Sequence, residues 1–185
     1  MKHNIAVLLS GNGSNLQAIV DNNIDISFVV SNNPKALGLK IAKNENIPWY
    51  CWQNISELEK EVLKLVIEYD VKLLVLAGYM RLLSKSFVNS LPSKFIVNVH
   101  PSLLPKYKGI NAVQQAIDDC ADYTGVTIHY VDEGIDSGSI IKQKRIKIRE
   151  IDTAVSLKKR LQDIEHRLYS DTIKAILFKK KKFNV

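Results

Sequence analysis

The stretch that decides the fold is IAVLLSGNGSNLQAIV, from Ile5 to Val20. Its first five residues are continuously apolar, which is typical of a strand buried on both faces of a parallel sheet. The segment Ser10–Asn15 has the glycine, serine and asparagine content of a tight turn. Leu16, Ile19 and Val20 then follow at helical spacing. A strand, a glycine-rich turn and a helix therefore predict the first unit of an α/β sheet.

The same alternation continues along the chain and sets the predicted fold class. Apolar runs alternate with helical patterns, which predicts an α/β fold with a doubly wound, mostly parallel sheet flanked by helices. Two consecutive predicted strands add a partly antiparallel C-terminal edge. Because the chain has no internal repeat or low-complexity linker, we expect residues 1–185 to form a single domain. The predicted strands are 5–9, 26–30, 49–52, 73–76, 95–99, 126–131 and 140–148, and the predicted helices begin near 16, 36, 56, 84, 111 and 153.

Composition excludes several classes of protein. Apolar residues make up 46% of the chain and charged residues 24%, which is ordinary for a globular protein in water. The apolar run after Met1 is too short for a signal peptide or a membrane span. Cys51 and Cys120 do not have the spacing of metal ligands. We therefore expect a cytoplasmic protein with reduced thiols, no membrane association and no metal.

The net charge of +7 does not by itself indicate a nucleic-acid partner. Lys179–Lys182 supplies four of these charges and leaves about +3 for the rest of the chain. Lysines at the end of a helix suit the negative end of its dipole. A nucleic-acid-binding module would also interleave aromatic residues with the charges, and only Phe178 and Phe183 flank this run. We therefore expect no nucleic-acid partner.

The segment NVHPSLLP, residues 98–105, follows the apolar run 95–97 and holds the first candidate functional residues. Side chains two apart on a strand point to the same face, so Asn98 and His100 should lie together. Pro101 favours an extended conformation at His100. An amide donor beside an imidazole can stabilise an oxyanion and supply a proton. The alternative is that both residues only satisfy their hydrogen bonds where a strand ends.

The glycine-rich turn is the second candidate site. A strand, a glycine turn and a helix present free backbone N–H groups to an anion. The dinucleotide pattern is absent, because Leu16 occupies the position of the third glycine and no acidic residue follows the second strand. The turn therefore predicts a site for a phosphate monoester bound by Gly13, Ser14 and Asn15. The alternative is a purely structural turn.

The loop DEGIDSG, residues 132–138, is the third candidate. A carboxylate at Asp136, beside His100 across neighbouring strand ends, would favour the imidazolium form of that histidine. The alternative is a turn aspartate that caps its own backbone. We interpret His129, inside a predicted strand, as a hydrogen-bonded structural histidine. An acid and an oxyanion donor without a nucleophilic serine or cysteine suit direct transfer between two bound substrates.

These segments resemble the motifs of one enzyme family. SGNGSNL, AGYMR, NVHPSLLP and HYVDEGIDSG occur at residues 10–16, 77–81, 98–105 and 129–138. The whole chain resembles the folate-dependent formyltransferases, and its early glycine turn is similar to that of the phosphoribosylglycinamide formyltransferases of purine biosynthesis. The resemblance implies a Rossmann-like formyltransferase fold. It also implies transfer of the formyl group of 10-formyltetrahydrofolate, a co-substrate, to the amine of the glycinamide.

The resemblance also implies roles for individual residues. Asn98 would bind the oxyanion, His100 would act as general acid, and Asp136 would hold the charge of His100. The site for the glycinamide ribonucleotide would comprise Gly13, Ser14, Asn15, Leu16, Gln17, Gln162 and Glu165. The folate site would comprise Met80, Arg81, Leu82, Leu83, Val88 and Asn98, with backbone contacts from 132–136. No metal is implied.

The chain departs from the family pattern at one position. Some members place an arginine near Ser56 to meet the glutamate tail of the folate, and Ile55-Ser56-Glu57 offers none. Arg81 or a lysine would have to replace it.

Methionyl-tRNA formyltransferases and formyltetrahydrofolate hydrolases normally carry a further domain, which we do not expect here. A sugar-nucleotide formyltransferase is the nearest alternative, and both a monomer and a homodimer stay open.

Overall fold

The computed structural model describes residues 4–183, with side chains to Lys179. Within these residues the chain forms seven strands and six helices. The strands are β1 (Ile5–Leu9), β2 (Ile26–Ser31), β3 (Trp49–Cys51), β4 (Leu73–Leu76), β5 (Ile96–His100), β6 (Tyr123–Tyr130) and β7 (Ile140–Lys147). The helices are α1 (Ser14–Asp21), α2 (Leu37–Asn44), α3 (Ile55–Glu68), α4 (Lys85–Asn89), α5 (Ala112–Asp118) and α6 (Ala154–Phe183). The predicted order of elements is confirmed.

The strands form one sheet in the order β3-β2-β1-β4-β5-β6-β7. All pairings from β3 to β5 are parallel, whereas β6 is antiparallel to both β5 and β7. The predicted parallel sheet with an antiparallel C-terminal edge is therefore confirmed. β6 begins at Tyr123 rather than at the predicted Val126, because Tyr123–Gly125 continue the ladder with β7. The order leaves β3 and β7 as the two edge strands.

Side chains of β1 alternate between two apolar layers. All five of its residues are buried. Val7 and Leu9 pack with buried residues of α1, α2, α5 and α6, whereas Ala6 and Leu8 pack with residues of α3 and α4 on the other face. Helices on both faces confirm the predicted doubly wound arrangement. Among residues 4–183, every helix is too short or too polar to cross a membrane.

Helix α6 runs past the predicted end at residue 177 and reaches Phe183. The lysine run 179–182 therefore lies in the last turns of a helix. Lys179 is exposed, and the side chains of residues 180–182 lie outside the described part of the structure. The single domain expected for residues 1–185 remains a prediction.

Tyr169 fixes α6 against the centre of the sheet. It is 1% exposed, and its hydroxyl donates to the carbonyl oxygens of Leu76 (3.0 Å) and Val97 (2.9 Å), at the end of β4 and inside β5. One turn earlier on the same helix lies Glu165, which is also buried. The Ser170 hydroxyl donates to the Ala18 carbonyl (3.3 Å), so α6 contacts α1 as well.

We expect Tyr169→Phe to lower the free energy of unfolding by roughly 1–3 kcal/mol, because it leaves buried carbonyl oxygens without their donor. Urea unfolding followed by far-UV circular dichroism measures the change. Tyr123→Phe is the matched control, since Tyr123 is 45% exposed and a surface change of this kind stays within about 0.5 kcal/mol. Equal unfolding midpoints for the two variants would contradict the proposed anchoring of α6.

Candidate active site

Asn98, His100, His129 and Asp136 form one polar cluster on the sheet. Asn98 and His100 lie on the same face of β5, and His129 is the cross-strand partner of Asn98 on β6. The neighbouring residues Val97 and Val99 pack into the layer that contains α6. The cluster therefore lies on the opposite face of the sheet, where strand alternation directs these side chains.

Asp136 reaches this cluster from the loop 132–138. Its Oδ2 lies 3.4 Å from His100 Nδ1, and its Oδ1 lies 3.5 Å from His129 Nε2. β6 runs antiparallel to β5, so its last residue, Tyr130, pairs with Val97 rather than with His100. The loop must therefore turn back over the face of the sheet to bring the carboxylate to His100. The structure brings together the three side chains that the sequence predicted to meet.

His100 is buried between two acceptors. Its Nε2 lies 2.8 Å from the backbone carbonyl oxygen of Tyr107, which can only accept, so Nε2 donates. Its Nδ1 faces the Asp136 carboxylate at 3.4 Å, which is longer than an ordinary hydrogen bond and leaves a mainly charge–charge contact. Only a doubly protonated ring presents an N–H to both acceptors.

The carboxyl of Asp136 is held in its charged form. It accepts a hydrogen bond from the Gly109 N–H at 2.8 Å. Burial raises the pKa of Asp136. Hydrogen bonds from His129 and Gly109, together with the charges of His100 and His129, lower this pKa by more, so that it lies below the ordinary value for an aspartate. Asp136 has φ +46°, a left-handed conformation that Asp and Asn tolerate better than most residues.

His129 belongs to the polar cluster, a placement that the sequence interpretation did not predict. Its Nδ1 donates to the carbonyl oxygen of Tyr130 (2.8 Å), as a structural histidine would. Its Nε2, however, lies 3.3 Å from Asn98 Nδ2 and 3.5 Å from Asp136 Oδ1. In the neutral ring Nε2 accepts from the Asn98 amide, and in the charged ring it donates to Asp136. A titratable side chain within a buried strand was the available signal.

The glycine-rich turn lies at the start of α1. Gly13 has φ +78°, and a Cβ at this position would lie 2.6 Å from the Gly38 Cα. Only glycine therefore fits where the turn meets α2. Ser14 begins the helix, so the first backbone N–H groups have no partner within it. Leu16 is fully buried, and the Gln17 side chain donates to Asp21 along the helix (2.8 Å).

Glu165 lies beside this turn although it is 150 residues away in sequence. Asn15 Nδ2 donates to Glu165 Oε2 at 3.3 Å. Burial raises the pKa of Glu165, and the Asn15 hydrogen bond and the Lys158 charge act in the opposite direction. The Asn15 Oδ1 is buried and has no hydrogen-bond partner among the described residues. Gln162 lies one turn before Glu165 on α6 and is half-exposed.

The segment Met80–Leu83, here termed the 80–83 loop, joins β4 to α4 next to the glycine-rich turn. Met80 Cε would lie 3.9 Å from a Cβ placed on Gly11. Met80 and Leu82 are 75% and 69% exposed, and Arg81 is exposed. Leu83 and Val88 pack against the apolar layer under α3 and α4. The predicted folate residues therefore form a largely apolar, accessible rim.

Loop 132–138 is attached to the other side of this rim. Asn89 Nδ2, on α4, donates to Glu133 Oε1 (3.0 Å), and Lys85 Nζ lies 3.6 Å from Glu133 Oε2. The rim is thus joined to the glycine-rich turn through Met80 and Ser10, and to the loop that carries Asp136 through Asn89 and Glu133. Among the described residues, no group of three or more His, Cys, Asp and Glu side chains is arranged to hold a metal ion.

Comparison with known proteins agrees with this arrangement. The model of the formyl transferase family matches residues 3–173. The chain therefore belongs to the formyl transferase family. Within that family it is 39% identical over 183 residues to a phosphoribosylglycinamide formyltransferase of Bacillus subtilis, covering 93% of each chain.

Solved structures of the same enzyme have the same fold. Phosphoribosylglycinamide formyltransferase from Anaplasma phagocytophilum is 38% identical with a TM-score of 0.92, over 97% of this chain and 89% of that one. The enzyme from Bacillus halodurans is 36% identical with a TM-score of 0.88, over 94% and 95%. The expected resemblance and the Rossmann-like formyltransferase fold are confirmed, and the chain is an enzyme of this kind.

The lowered pKa of Asp136 predicts a pH-dependent contribution to stability. The pKa of Asp136 is lower in the folded state than in the unfolded chain. Its stabilising contribution is therefore complete at pH values above the unfolded-state pKa of about 4, and it is lost as the pH falls through the folded-state pKa. We expect the difference in unfolding free energy between the wild type and Asp136→Asn to be largest near pH 6 and to shrink towards pH 2. Urea unfolding at these two pH values tests this, and a difference that grows on acidification would refute it.

Proposed function

We propose that this enzyme transfers the formyl group of 10-formyltetrahydrofolate to the amine of 5'-phosphoribosylglycinamide in purine (IMP) biosynthesis. The products are 5'-phosphoribosyl-N-formylglycinamide and tetrahydrofolate. The observation that carries the proposal is the meeting of Asn98, His100 and Asp136 in the polar cluster, where Asp136 lies 3.4 Å from His100 and 3.5 Å from His129, which in turn contacts Asn98. Relatives that bear the name of this activity support the choice of substrates.

The reaction is a direct transfer. The lone pair of the glycinamide amine attacks the formyl carbon, and the carbonyl oxygen becomes an oxyanion. The bond from that carbon to the folate nitrogen then breaks, the nitrogen gains a proton, and the new amide loses one. Holding both reactants in attack geometry contributes part of the rate enhancement.

Asn98 is the proposed oxyanion donor. Its amide has two N–H groups, and one of them is directed at His129 Nε2. The second is then available to the developing oxyanion. A donor of this kind contributes roughly 3–4 kcal/mol in comparable sites. His129 acts as a positioning residue, because it fixes the amide plane of Asn98.

His100 is the proposed general acid. Asp136 faces Nδ1, so Nε2 is the ring nitrogen that we assign to the proton transfer, directly or through one water molecule. Its present acceptor, the Tyr107 carbonyl, must then be exchanged for the folate nitrogen or that water. Asp136 stabilises the charged ring until the proton leaves. A general acid contributes about 10²- to 10⁴-fold.

The ribonucleotide is assigned to the glycine-rich turn. Backbone N–H groups from Gly13 to Leu16 and the Ser14 hydroxyl would bind the phosphate, since the start of a helix attracts an anion. Glu165, with Gln162 beside it, would accept hydrogen bonds from the ribose hydroxyls. The unpaired Asn15 Oδ1 suits a donor from the same ligand. Leu16 contributes only its backbone, and Gln17 lies at the margin.

The folate is assigned to the apolar rim and the backbone of 132–136. Loop 132–136 would contact the pterin, and Val88 would form a wall of its pocket. Exposed apolar side chains of the 80–83 loop would cover the ring system, and Asn98 would face the formyl group. The proposed folate-binding residues are Met80, Arg81, Leu82, Leu83, Val88 and Asn98, and Arg81 or a lysine would meet the glutamate tail.

The remaining properties follow from this assignment. Both partners are small molecules, and the proposed mechanism uses no metal, nucleic acid or membrane. The cytoplasm is the compartment we assign, and monomer and homodimer both remain compatible with the site.

We expect the wild-type protein to form the formylated ribonucleotide from 10-formyltetrahydrofolate, with no product from sugar-nucleotide acceptors. Asp136→Asn should keep the folded circular dichroism spectrum and lose about 10²-fold or more of kcat, because the charged ring loses its counter-charge. Product formation is followed by liquid chromatography. An unchanged kcat would remove Asp136 from the mechanism, and product from the sugar nucleotide alone would replace the proposed substrate.

Gly13→Ala should raise the KM for the ribonucleotide far more than the KM for the folate. Its Cβ would collide with Gly38 and displace the backbone N–H groups that face the phosphate. Gly78→Ala is the control, because Gly78 also has a positive φ (+72°) but has open space where the Cβ would lie. Equal rises of both KM values in Gly13→Ala would place the phosphate elsewhere.

A further inference from the structure

The 80–83 loop has little packing of its own. It has no regular secondary structure, and Met80, Arg81 and Leu82 are all exposed. Its conformation must therefore depend on how its two ends are held. Each end is held by a buried side chain from another element.

Glu59 holds the C-terminal end. It lies on α3, is 8% exposed, and accepts the backbone N–H of Ser84 (2.7 Å) and the Ser84 hydroxyl (2.5 Å). The same hydroxyl accepts the Phe87 N–H (3.1 Å) and so caps α4. Hydrogen bonds to a carboxylate are stronger than those between neutral groups. The Glu59 carboxylate therefore determines where the loop ends and α4 begins.

The residue before the loop also lies near this carboxylate. Burial raises the pKa of Tyr79 to about 12, and the charge of Glu59 adds to the rise while Arg81 acts in the opposite direction. Tyr79 packs into the apolar layer beside α3. Glu59 thus lies beneath the loop, close to the residues on either side of it.

Ser10 holds the N-terminal end. Its hydroxyl accepts the Met80 N–H (2.8 Å) and donates to Asn32 Oδ1 (2.6 Å). Its backbone N–H donates to the Gly78 carbonyl (3.1 Å), and its carbonyl accepts from Asn33 Nδ2 (3.1 Å). Ser10 also begins the turn that continues through Gly11–Asn15. One buried residue therefore connects the glycine-rich turn with the 80–83 loop.

We propose that Glu59 and Ser10 are positioning residues that fix the two ends of the 80–83 loop for folate without contacting either substrate. The inference rests on the proposed function, because it takes this loop as the folate site. Glu59 holds the loop through Ser84 and has no hydrogen bond to the glycine-rich turn among the described residues, so its removal affects folate alone. Ser10 belongs to both segments, so its removal affects folate and ribonucleotide together.

Glu59→Ala should raise the KM for 10-formyltetrahydrofolate about tenfold or more, because it removes the acceptor of both Ser84 hydrogen bonds, and leave the KM for the ribonucleotide within about twofold. Glu59→Gln should recover most of the folate affinity, because its carbonyl accepts the Ser84 N–H and its amide donates to the hydroxyl. Glu61→Ala, on the same helix with an exposed partner in Lys64, is the control. If Glu59→Ala does not fold, Ser84→Ala removes only the hydroxyl and should give a smaller rise.

Ser10→Ala should raise both KM values by similar factors of about five or more, since it leaves the Met80 N–H without its acceptor. Ser170→Ala removes another buried hydroxyl, whose hydrogen bond goes to Ala18 on α1, and should change neither value more than twofold. Hydrogen exchange followed by mass spectrometry gives an independent reading. Exchange of the Ser84 amide should accelerate in Glu59→Ala, and exchange of the Met80 amide in Ser10→Ala.

The outcomes separate the two proposals. An active wild type whose folate KM is the same in Glu59→Ala and Glu61→Ala would overturn the positioning role and leave the proposed function intact. Equal effects of Glu59→Ala on both substrates would also overturn it. A wild type that forms no formylated ribonucleotide would overturn the proposed function and the inference with it.

Discussion

The Asp136 carboxylate joins parts of the chain that the sheet alone would leave apart. It lies against His100 on β5, against His129 on β6, and against the Gly109 N–H in the segment before α5. Three hydrogen-bonding or charged contacts thus converge on one small group. Loop 132–138 would otherwise extend from the end of β6, away from His100. The proposed catalytic cluster depends on this carboxylate for its shape as well as for its charge.

The rest of the site uses the ordinary geometry of a doubly wound sheet. Strands β1 and β4 end at one edge, and the glycine-rich turn and the 80–83 loop follow them there. Ser10 links these two segments with Asn32 at the end of β2. From the other layer, Tyr169 fixes α6 and with it Glu165 beside Asn15. The proposed substrate sites therefore lie where strands end, and side-chain hydrogen bonds hold the segments around them together.

Much of this could be predicted from the sequence. Continuous apolar runs such as Ile5–Leu9 indicate strands buried on both faces, and helical spacing between them indicates the layers. Strand pairing, however, is a tertiary property. The start of β6 depends on its pairing with β7, and the path of loop 132–138 depends on the contacts of Asp136, so neither could be predicted from the sequence. We interpreted His129 as structural because the sequence indicates that it lies in a strand. The sequence does not indicate which residue of the neighbouring strand lies opposite it. Pairing with Asn98 requires the register of β5 and β6.

Anchoring by Glu59 and Ser10 was equally hidden. A glutamate on an amphipathic helix is usually in water, and nothing in the sequence places Glu59 under Ser84. Gln17 shows the converse, because the family resemblance assigned its side chain to the ligand, whereas in the structure it donates to Asp21 on the same helix. Short-range partners compete with a site for polar side chains, and the sequence alone does not show which partner prevails.

The contact between Asn15 and Glu165 has a consequence for the order in which the protein becomes competent. The glycine-rich turn is synthesised before its carboxylate neighbour, which follows 150 residues later on α6. Because a chain is made from its N-terminus, the contact between Asn15 and Glu165 cannot form until α6 has been translated. Under the proposed function, a nascent chain without α6 lacks the carboxylate that is assigned to the ribose.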